Sequence, residues 1–298
     1  MEKRKIGALE VSAVGMGCMG FSHGYGKVPE EAYSIEAIQK AYAAGCTFFD
    51  TAESYGRDVF YPGHNEQLVG KAIAGFRKDV VLATKLHVYA EELGGKTLYD
   101  VVRGHLERSM QNLQTDYIDL LLIHQPFNDY YGTWRAMEEA YKAGKLRAIG
   151  VCNFYPHRLA DFCETVDQLP MVNQVELHPF FQQENALSLM REYGVQPEAW
   201  APFAEGRHSI FTHPVLTKIG EKYGKGAGQV ALRWNTQRGV AVIPKSVHKE
   251  RMEQNLDIWD FRLTDEEMAE IAALDIGRSE IIDHTDPRLV QALHGRKL

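Results

Sequence analysis

The sequence predicts an α/β barrel of parallel strands. Apolar, β-leaning runs alternate with helical patterns along most of the chain. Three successive runs stop at a side chain with chemistry: Thr47 to Phe49 at Asp50, Val80 to Thr84 at Lys85, and Ile118 to Ile123 at His124. In a barrel of parallel strands those ends converge on one face. The length of 298 residues suits one barrel, although by itself it would also admit two average domains.

Each element has its own signal. Lys5 to Ser12 reads as a small hairpin turned at Gly7-Ala8. Val11 to Met16 is expected to be the first barrel strand. Gly15-Met-Gly17-Cys-Met-Gly20 fits the G-x-G-x-x-G dinucleotide fingerprint, but that motif must open a helix directly. Here Phe21-Ser-His-Gly-Tyr-Gly26 follows, which is loop. The glycines are instead expected to let the backbone approach a ligand at the barrel mouth. Pro29 to Ala44 is a helix with Ala32, Ile35, Ile38 and Ala41 or Tyr42 inward, stopped by Gly45. Asp50 and then Tyr55-Gly56 follow. Asn65 is expected to cap a helix to Phe76. Val80 to Lys85 is the third strand, Tyr99 to Leu113 a helix, and Ile118 to His124 the fourth strand. Gln125 to Gly132 is an aromatic loop whose Tyr130 and Tyr131 could wall a pocket or pack on the scaffold. Thr133 to Ala143 is a helix and Ala148 to Val151 the fifth strand.

Beyond this the strand ends change character. Cys152-Asn153 closes the fifth strand, Gln174 lies in the sixth, and Ala199-Trp200-Ala201-Pro202 closes the seventh. Amides bond amides and an indole stacks on a ring, so these groups suit a flat aromatic amide. Val240 to Pro244 is the eighth strand. Lys245, Ser246, Arg251 and Asn255 then collect a cation, a hydroxyl and a guanidinium near a helix start, the makings of an anion site. A solvated charged helix is the blander outcome. Thr264 with Glu267 forms a capping box that opens a helix from Asp265 to Leu274. The tail from Asp283 to Leu298 carries no clear signal for its path.

Composition narrows the function. A net charge of −7 disfavours nucleic acid and anionic membranes as partners. No apolar stretch is long enough to span a bilayer, and no leader-like apolar segment follows Met1. The four cysteines form no Cys-x-x-Cys, and reduced thiols in a cytoplasmic protein are expected. No HExxH or paired Cys/His spacing suggests a metal.

Gly45-x-Thr-x-Phe-Asp50-Thr-Ala-x-x-Tyr55-Gly, with Lys85 and His124, resembles the catalytic tetrad of the aldo-keto reductases. His124-Gln-Pro-Phe, Trp200-Ala-Pro-Phe and Asp283-His-Thr-Asp-Pro look most like bacterial reductases of the diketogluconate reductase type. The resemblance implies a single (β/α)8 TIM barrel over 1–298, with the hairpin as an N-terminal plug and an extra C-terminal helix outside. It implies an NADPH-dependent reductase of small carbonyl compounds, such as keto sugars, keto acids and reactive aldehydes. General aldehyde or methylglyoxal detoxification is the alternative, and a nucleotide-binding regulatory protein a more distant one. A monomer is expected.

The roles follow chemically. Tyr55 is the expected general acid, but a free tyrosine has a pKa of about 10. Lys85 would lower it and Asp50 would keep Lys85 charged. His124 would orient the carbonyl oxygen. By resemblance Asn153 and Gln174 bind the nicotinamide carboxamide and Trp200 stacks on its ring. Lys245, Ser246 and Arg251 match the holders of the 2′-phosphate, and Asn255 an adenine contact. Gly17, Asp50, Cys152, Ala201, Pro202 and Gln254 complete the expected cofactor contacts. Cys152 stands where Ser is common, Met19 where many members have Trp, and Trp200 where many have Tyr.

Overall fold

The computed structural model describes residues 1–23 and 27–294; residues 24–26 of the expected loop and 295–298 of the tail lie outside it. A two-stranded antiparallel hairpin comes first, β1 (Lys3–Ile6) and β2 (Leu9–Ser12), turned at Gly7 with φ +58°. The parallel strands are β3 (Met16–Gly17), β4 (Phe48–Asp50), β5 (Val81–Leu86), β6 (Ile118–Ile123), β7 (Leu146–Cys152), β8 (Val172–Glu176), β9 (Gln196–Trp200) and β10 (Ala241–Val242). They pair in chain order from β3 to β10. Parallel bridges from Val14 to Val242 and from Gly17 to Lys245 join the two ends and close the barrel.

Residue parity decides what faces the interior. Successive side chains on a strand point to opposite faces. Phe48, Ala83, Leu120, Leu122, Ala148 and Val172 meet inside the barrel, where Ile6 and Val11 of the hairpin join them as a plug. Their neighbours Phe49, Leu82, Leu121, Ile123, Ile149 and Val175 face outward into a shell shared with the helices. Counting on by two from Phe48, Ala83, Leu122, Gly150 and Val172 reaches Asp50, Lys85, His124, Cys152 and Gln174. The same alternation that fills the core therefore delivers the polar residues to its carboxyl end.

The surrounding helices are α1 (Glu31–Ala43), α2 (His64–Ile73), α3 (Leu98–Asn112), α4 (Tyr130–Lys142), α5 (Pro156–Thr165), α6 (Glu184–Tyr193), α7 (Pro214–Tyr223), α8 (Ala227–Gln237), α9 (Lys249–Leu256), α10 (Asp265–Ala272) and α11 (Pro287–His294). The α10 capping box forms as expected: Thr264 Oγ1 accepts from the Glu267 N–H at 3.2 Å, and the Glu267 carboxylate accepts from the Thr264 N–H at 2.9 Å.

Several boundaries differ from expectation. The first barrel strand does not begin at Val11, because Val11 and Ser12 already pair in the hairpin. On α1 the inward stripe is Ser34, Ala37, Ile38 and Ala41, whereas Ala32 is exposed. Asn65 is not a cap: Gly63, with φ +86°, begins α2, and Asn65 is the second residue of the helix, buried. Its side chain accepts from Thr51 Oγ1 at 2.6 Å and donates to the Cys18 carbonyl at 3.0 Å, tying loops at the barrel mouth together. Tyr130 and Tyr131 are the first residues of α4 and pack on Phe162, with Asp129 as the cap, so they belong to the scaffold.

Candidate active site

Lys85 is the centre of the site. Its ammonium donates to Asp50 Oδ1 at 2.6 Å, to the Thr51 carbonyl at 2.8 Å and to Tyr55 Oη at 3.2 Å. Three donors thus have three acceptors, in a side chain only 1% exposed. Tyr55 reaches inward from the loop after β4, where Gly56 turns the chain at φ +89°. The His124 ring meets the Tyr55 ring edge-on at 5.7 Å, and both are half-buried at the opening. Ser54 Oγ lies 3.5 Å from His124 Nδ1.

The electrostatics follow from burial against pairing. Burial opposes a charge on Lys85, but Asp50, helped by Tyr55 and Cys152, outweighs it and holds the ammonium above its ordinary range. Burial raises the Asp50 carboxyl, while Lys85 and the Gln174 amide pull it back. The ion pair is the consistent state, since the ammonium is the favoured form of Lys85. Burial lifts the Tyr55 hydroxyl to about 12, more than Lys85 lowers it. The expected net lowering is therefore not seen: Lys85 acts in the expected direction, and burial outweighs it. Tyr55 stays protonated at neutral pH. Burial, then the charge of Lys85, holds His124 well below its ordinary value, so its imidazole is neutral.

Opposite the tetrad lies the amide wall. The Trp200 indole N–H donates to Asn153 Oδ1 at 2.8 Å, and among the described residues the Asn153 Nδ2 has only a long 3.5 Å contact to the His124 carbonyl. Gln174 Nε2 donates to Asp50 Oδ2 at 3.1 Å and to Glu198 Oε1 at 2.7 Å. Asn153 thus offers a donor and Gln174 an acceptor, the complement of a primary amide. Asn153 and Ala201 hold left-handed backbones, with φ of 62° and 46°, which turn the chain outward beyond β7 and β9; Pro202 follows. Cys152 is buried beside them, and burial raises its thiol well above the ordinary value.

The expected anion site lies beyond β10. Ser246 Oγ accepts from the His248 N–H at 3.1 Å and shapes the turn into α9. Lys245 is partly buried, and burial lowers its pKa. Arg251 and Gln254 are exposed on α9 and Asn255 is half-buried. Lys249 is committed elsewhere, pairing with Glu36 at 2.6 Å. At Gly17 and Gly20 the lack of a side chain serves packing: a Cβ would come 3.0 Å from the Ile243 carbonyl oxygen and 3.1 Å from Val247, respectively.

Sequence reasoning passed over Glu198, Glu53 and His105. Glu198 is buried inside the barrel, one strand from Gln174. His105 on α3 meets Glu53 at 2.5 Å and Glu92 at 2.9 Å, so it anchors the Tyr55 loop from behind. Parity could have found Glu198, since it lies two residues before Trp200. His105 sits on the inner stripe of α3 between Val102 and Leu106, where a buried His needs a partner. The described part of the tail, of undetermined path in the sequence, starts beside the mouth: His284 pairs with Gln125 at 2.9 Å, and just before it Ser279 donates to Glu176 at 2.6 Å.

A family model described as the aldo/keto reductase family matches residues 13–276. The chain belongs to this family. It is accordingly an oxidoreductase, and the barrel is that of its relatives. It is 38% identical over 250 residues to a methylglyoxal reductase of Escherichia coli O157:H7, covering 82% of this chain and 85% of that one. It is 40% identical over 257 residues to a glyoxal reductase of Bacillus subtilis, covering 85% and 88%. A Bombyx mori aldo-keto reductase solved in complex with NADP superposes with a TM-score of 0.78 at 30% identity, covering 91% of each chain. Among the described residues, no helix is long and apolar enough to cross a membrane.

Proposed function

We propose that this chain reduces the aldehyde or ketone group of small carbonyl compounds to an alcohol, with NADPH as its cofactor. The observation that carries the reading is the buried Lys85 ammonium, bonded at once to Asp50 and to the Tyr55 hydroxyl. The donor set fits the cofactor: Asn153 and Gln174 complement a carboxamide, Trp200 offers a ring face at the rim, and Lys245, Ser246 and Arg251 suit a 2′-phosphate. Gln254 and Asn255 lie on the same helix for the adenine, and Gly17, Cys152, Ala201 and Pro202 line the approach. Two cationic residues favour NADPH over NADH.

When bound, NADPH supplies the hydride that the carbonyl carbon accepts. The remaining work falls to the chain. Negative charge grows on the carbonyl oxygen, and Tyr55 gives it a proton. The resulting phenolate is stabilised by the Lys85 ammonium at 3.2 Å. Asp50 keeps that ammonium charged. The neutral His124 imidazole donates an N–H to the same oxygen and fixes its direction.

The names of the relatives put small dicarbonyls such as methylglyoxal and glyoxal first as substrates, ahead of the keto sugars expected from the sequence. Four buried free cysteines suit a reducing cytoplasm. The test is to follow NADPH and NADH oxidation with methylglyoxal, glyoxal and a diketogluconate. Oxidation of NADPH by the dicarbonyls is expected. Tight NADPH binding with no oxidation by any of the three would contradict the reading.

A further inference from the structure

Glu198 is a carboxyl with no business in a barrel core unless it has a task. It is 0% exposed and shares the interior with apolar neighbours. Removing an ionisable group from water is costly, and interiors keep one only where a partner or a function compensates. Its partner is specific. Gln174 on β8 and Glu198 on β9 are register partners, and both point inward. Glu198 Oε1 accepts from Gln174 Nε2 at 2.7 Å, while among the described residues Glu198 Oε2 has no partner.

Gln174 Nε2 carries two hydrogens. One goes to Glu198 and the other to Asp50 Oδ2 at 3.1 Å. The amide lies this way round because a flipped amide would face its oxygen to the ionised Asp50 carboxylate, which only accepts. Among the described residues nothing donates to Gln174 Oε1. We infer that Glu198 is a positioning residue: it pins the Gln174 amide so that its oxygen is presented to the carboxamide N–H2 of the nicotinamide.

This rests on the reading of Gln174 and NADPH given above. It adds that the β9 carboxyl sets how well the nicotinamide, and not the adenosine half, is held. Without Glu198 one Gln174 hydrogen loses its acceptor, and the amide is free to turn. Asp50 would then be its single anchor.

The test compares two ligands on the full chain. NADPH has the nicotinamide; 2′,5′-ADP has the adenosine and phosphates without it. Both are titrated by calorimetry into wild type, Glu198→Met and Glu198→Gln. Met matches the length of Glu but accepts nothing comparable; Gln keeps an acceptor. Glu198→Met is expected to weaken NADPH by about fivefold, as suits one lost hydrogen bond, and to leave 2′,5′-ADP unchanged. Glu198→Gln is expected to stay within about twofold of wild type for both ligands, since one acceptor remains. A general loosening of the barrel would move the two ligands together, and that result overturns the proposal. So does no change in either. If wild type itself does not bind NADPH, the cofactor reading fails and takes the proposal with it.

Should Glu198→Met not fold, pH provides the second arm. Burial, with the nearby Asp50, raises Glu198 to about 8. The charged or titratable groups facing it are Asp50 on β4, Lys85 on β5 and Cys152 on β7, and Gln174 on β8 is its neutral partner. Lys85 and Cys152 are both held above their ordinary values, outside that range. An ionised acceptor grips an amide more firmly than a neutral one. The ratio of NADPH to 2′,5′-ADP affinity is therefore expected to rise through about pH 8 in wild type and to stay flat in Glu198→Gln. The shared 2′-phosphate cancels in that ratio. A wild-type ratio that is flat, or that rises equally in Glu198→Gln, overturns the proposal.

Discussion

The two ends of the barrel each hold a buried carboxylate against a cation, and they use it differently. At the amino ends of the strands, Asp119 is 0% exposed and meets Arg77 at 2.7 Å and Arg147 at 3.0 Å. The Leu82 N–H donates to it at 3.0 Å, and the two guanidinium groups flank the Tyr117 ring at 4.2 Å and 4.1 Å. Every contact there ends on scaffold. At the carboxyl ends, Asp50 meets Lys85 at 2.6 Å, but the lysine keeps one donor on the Tyr55 hydroxyl at the open mouth. The lesson is that a buried ion pair says little alone. What matters is whether its last valence is closed on the fold or left pointing at a group that can react.

The largest expected effect breaks the comparison from below. Asp119→Ala leaves the nearly buried Arg77 without its partner, while the half-exposed Arg147 keeps its water, and should cost about 3 kcal/mol of stability, the lower end for breaking a buried pair. Denaturant melts would show the loss, while turnover per folded molecule should be unchanged. A fall in that turnover would mean that the two ends are not separable.

His105 tests a cluster between these extremes. Burial opposes its charge, but Glu53 and Glu92 win and raise it to about 9. Its folded pKa thus exceeds the unfolded value near 6.5. The stabilisation is complete below about pH 6.5 and is lost as pH rises through about 9, by roughly 3 kcal/mol in all. His105→Gln should flatten the stability profile between those pH values. A profile as steep as that of wild type would show that His105 does not hold the Tyr55 loop electrostatically.

Arg251→Ala sharpens the distinction between chemistry and cofactor grip. It should weaken NADPH by about 10- to 100-fold and NADH hardly at all, in keeping with a lost charge-assisted hydrogen bond to phosphate. Equal losses for both cofactors in a titration would remove Arg251 from the phosphate site. Cys152→Ser is the smallest change. It keeps a small side chain at a buried position of β7, and turnover should stay within about twofold, since no reacting group depends on the thiol. Near-zero turnover with intact cofactor binding would make Cys152 catalytic.

Much of this was legible in the sequence because strand parity and strand ends are local signals. Asp50, Lys85 and His124 each stand two residues beyond an inward apolar side chain, at or within one residue of the end of a strand. Asn153, Gln174 and Trp200 could be placed at strand ends but drew their meaning from family resemblance. What stayed hidden depends on contacts distant in sequence. Asn65 has the residue type of a cap, yet Thr51 and the Cys18 carbonyl claim its side chain. The net pKa of Tyr55 depends on how deep its hydroxyl lies, which no spacing encodes. Glu198 acquires its partner only through the β8–β9 register. The path of the tail is fixed by single pairs, such as His284 with Gln125, that no pattern announces.

The most direct test pairs binding with turnover at one atom. NADPH is titrated into wild type and Tyr55→Phe by fluorescence quenching, and its oxidation is then followed with methylglyoxal. Removing the phenol oxygen takes away the proton donor and one of the three acceptors of Lys85, while Asp50 and the Thr51 carbonyl remain to hold the ammonium. Equal binding is expected, with turnover lower in Tyr55→Phe by about 10²- to 10⁴-fold, the range of a general acid. Turnover that survives the substitution would contradict Tyr55 as the proton donor, and with it the account of what Lys85 is for.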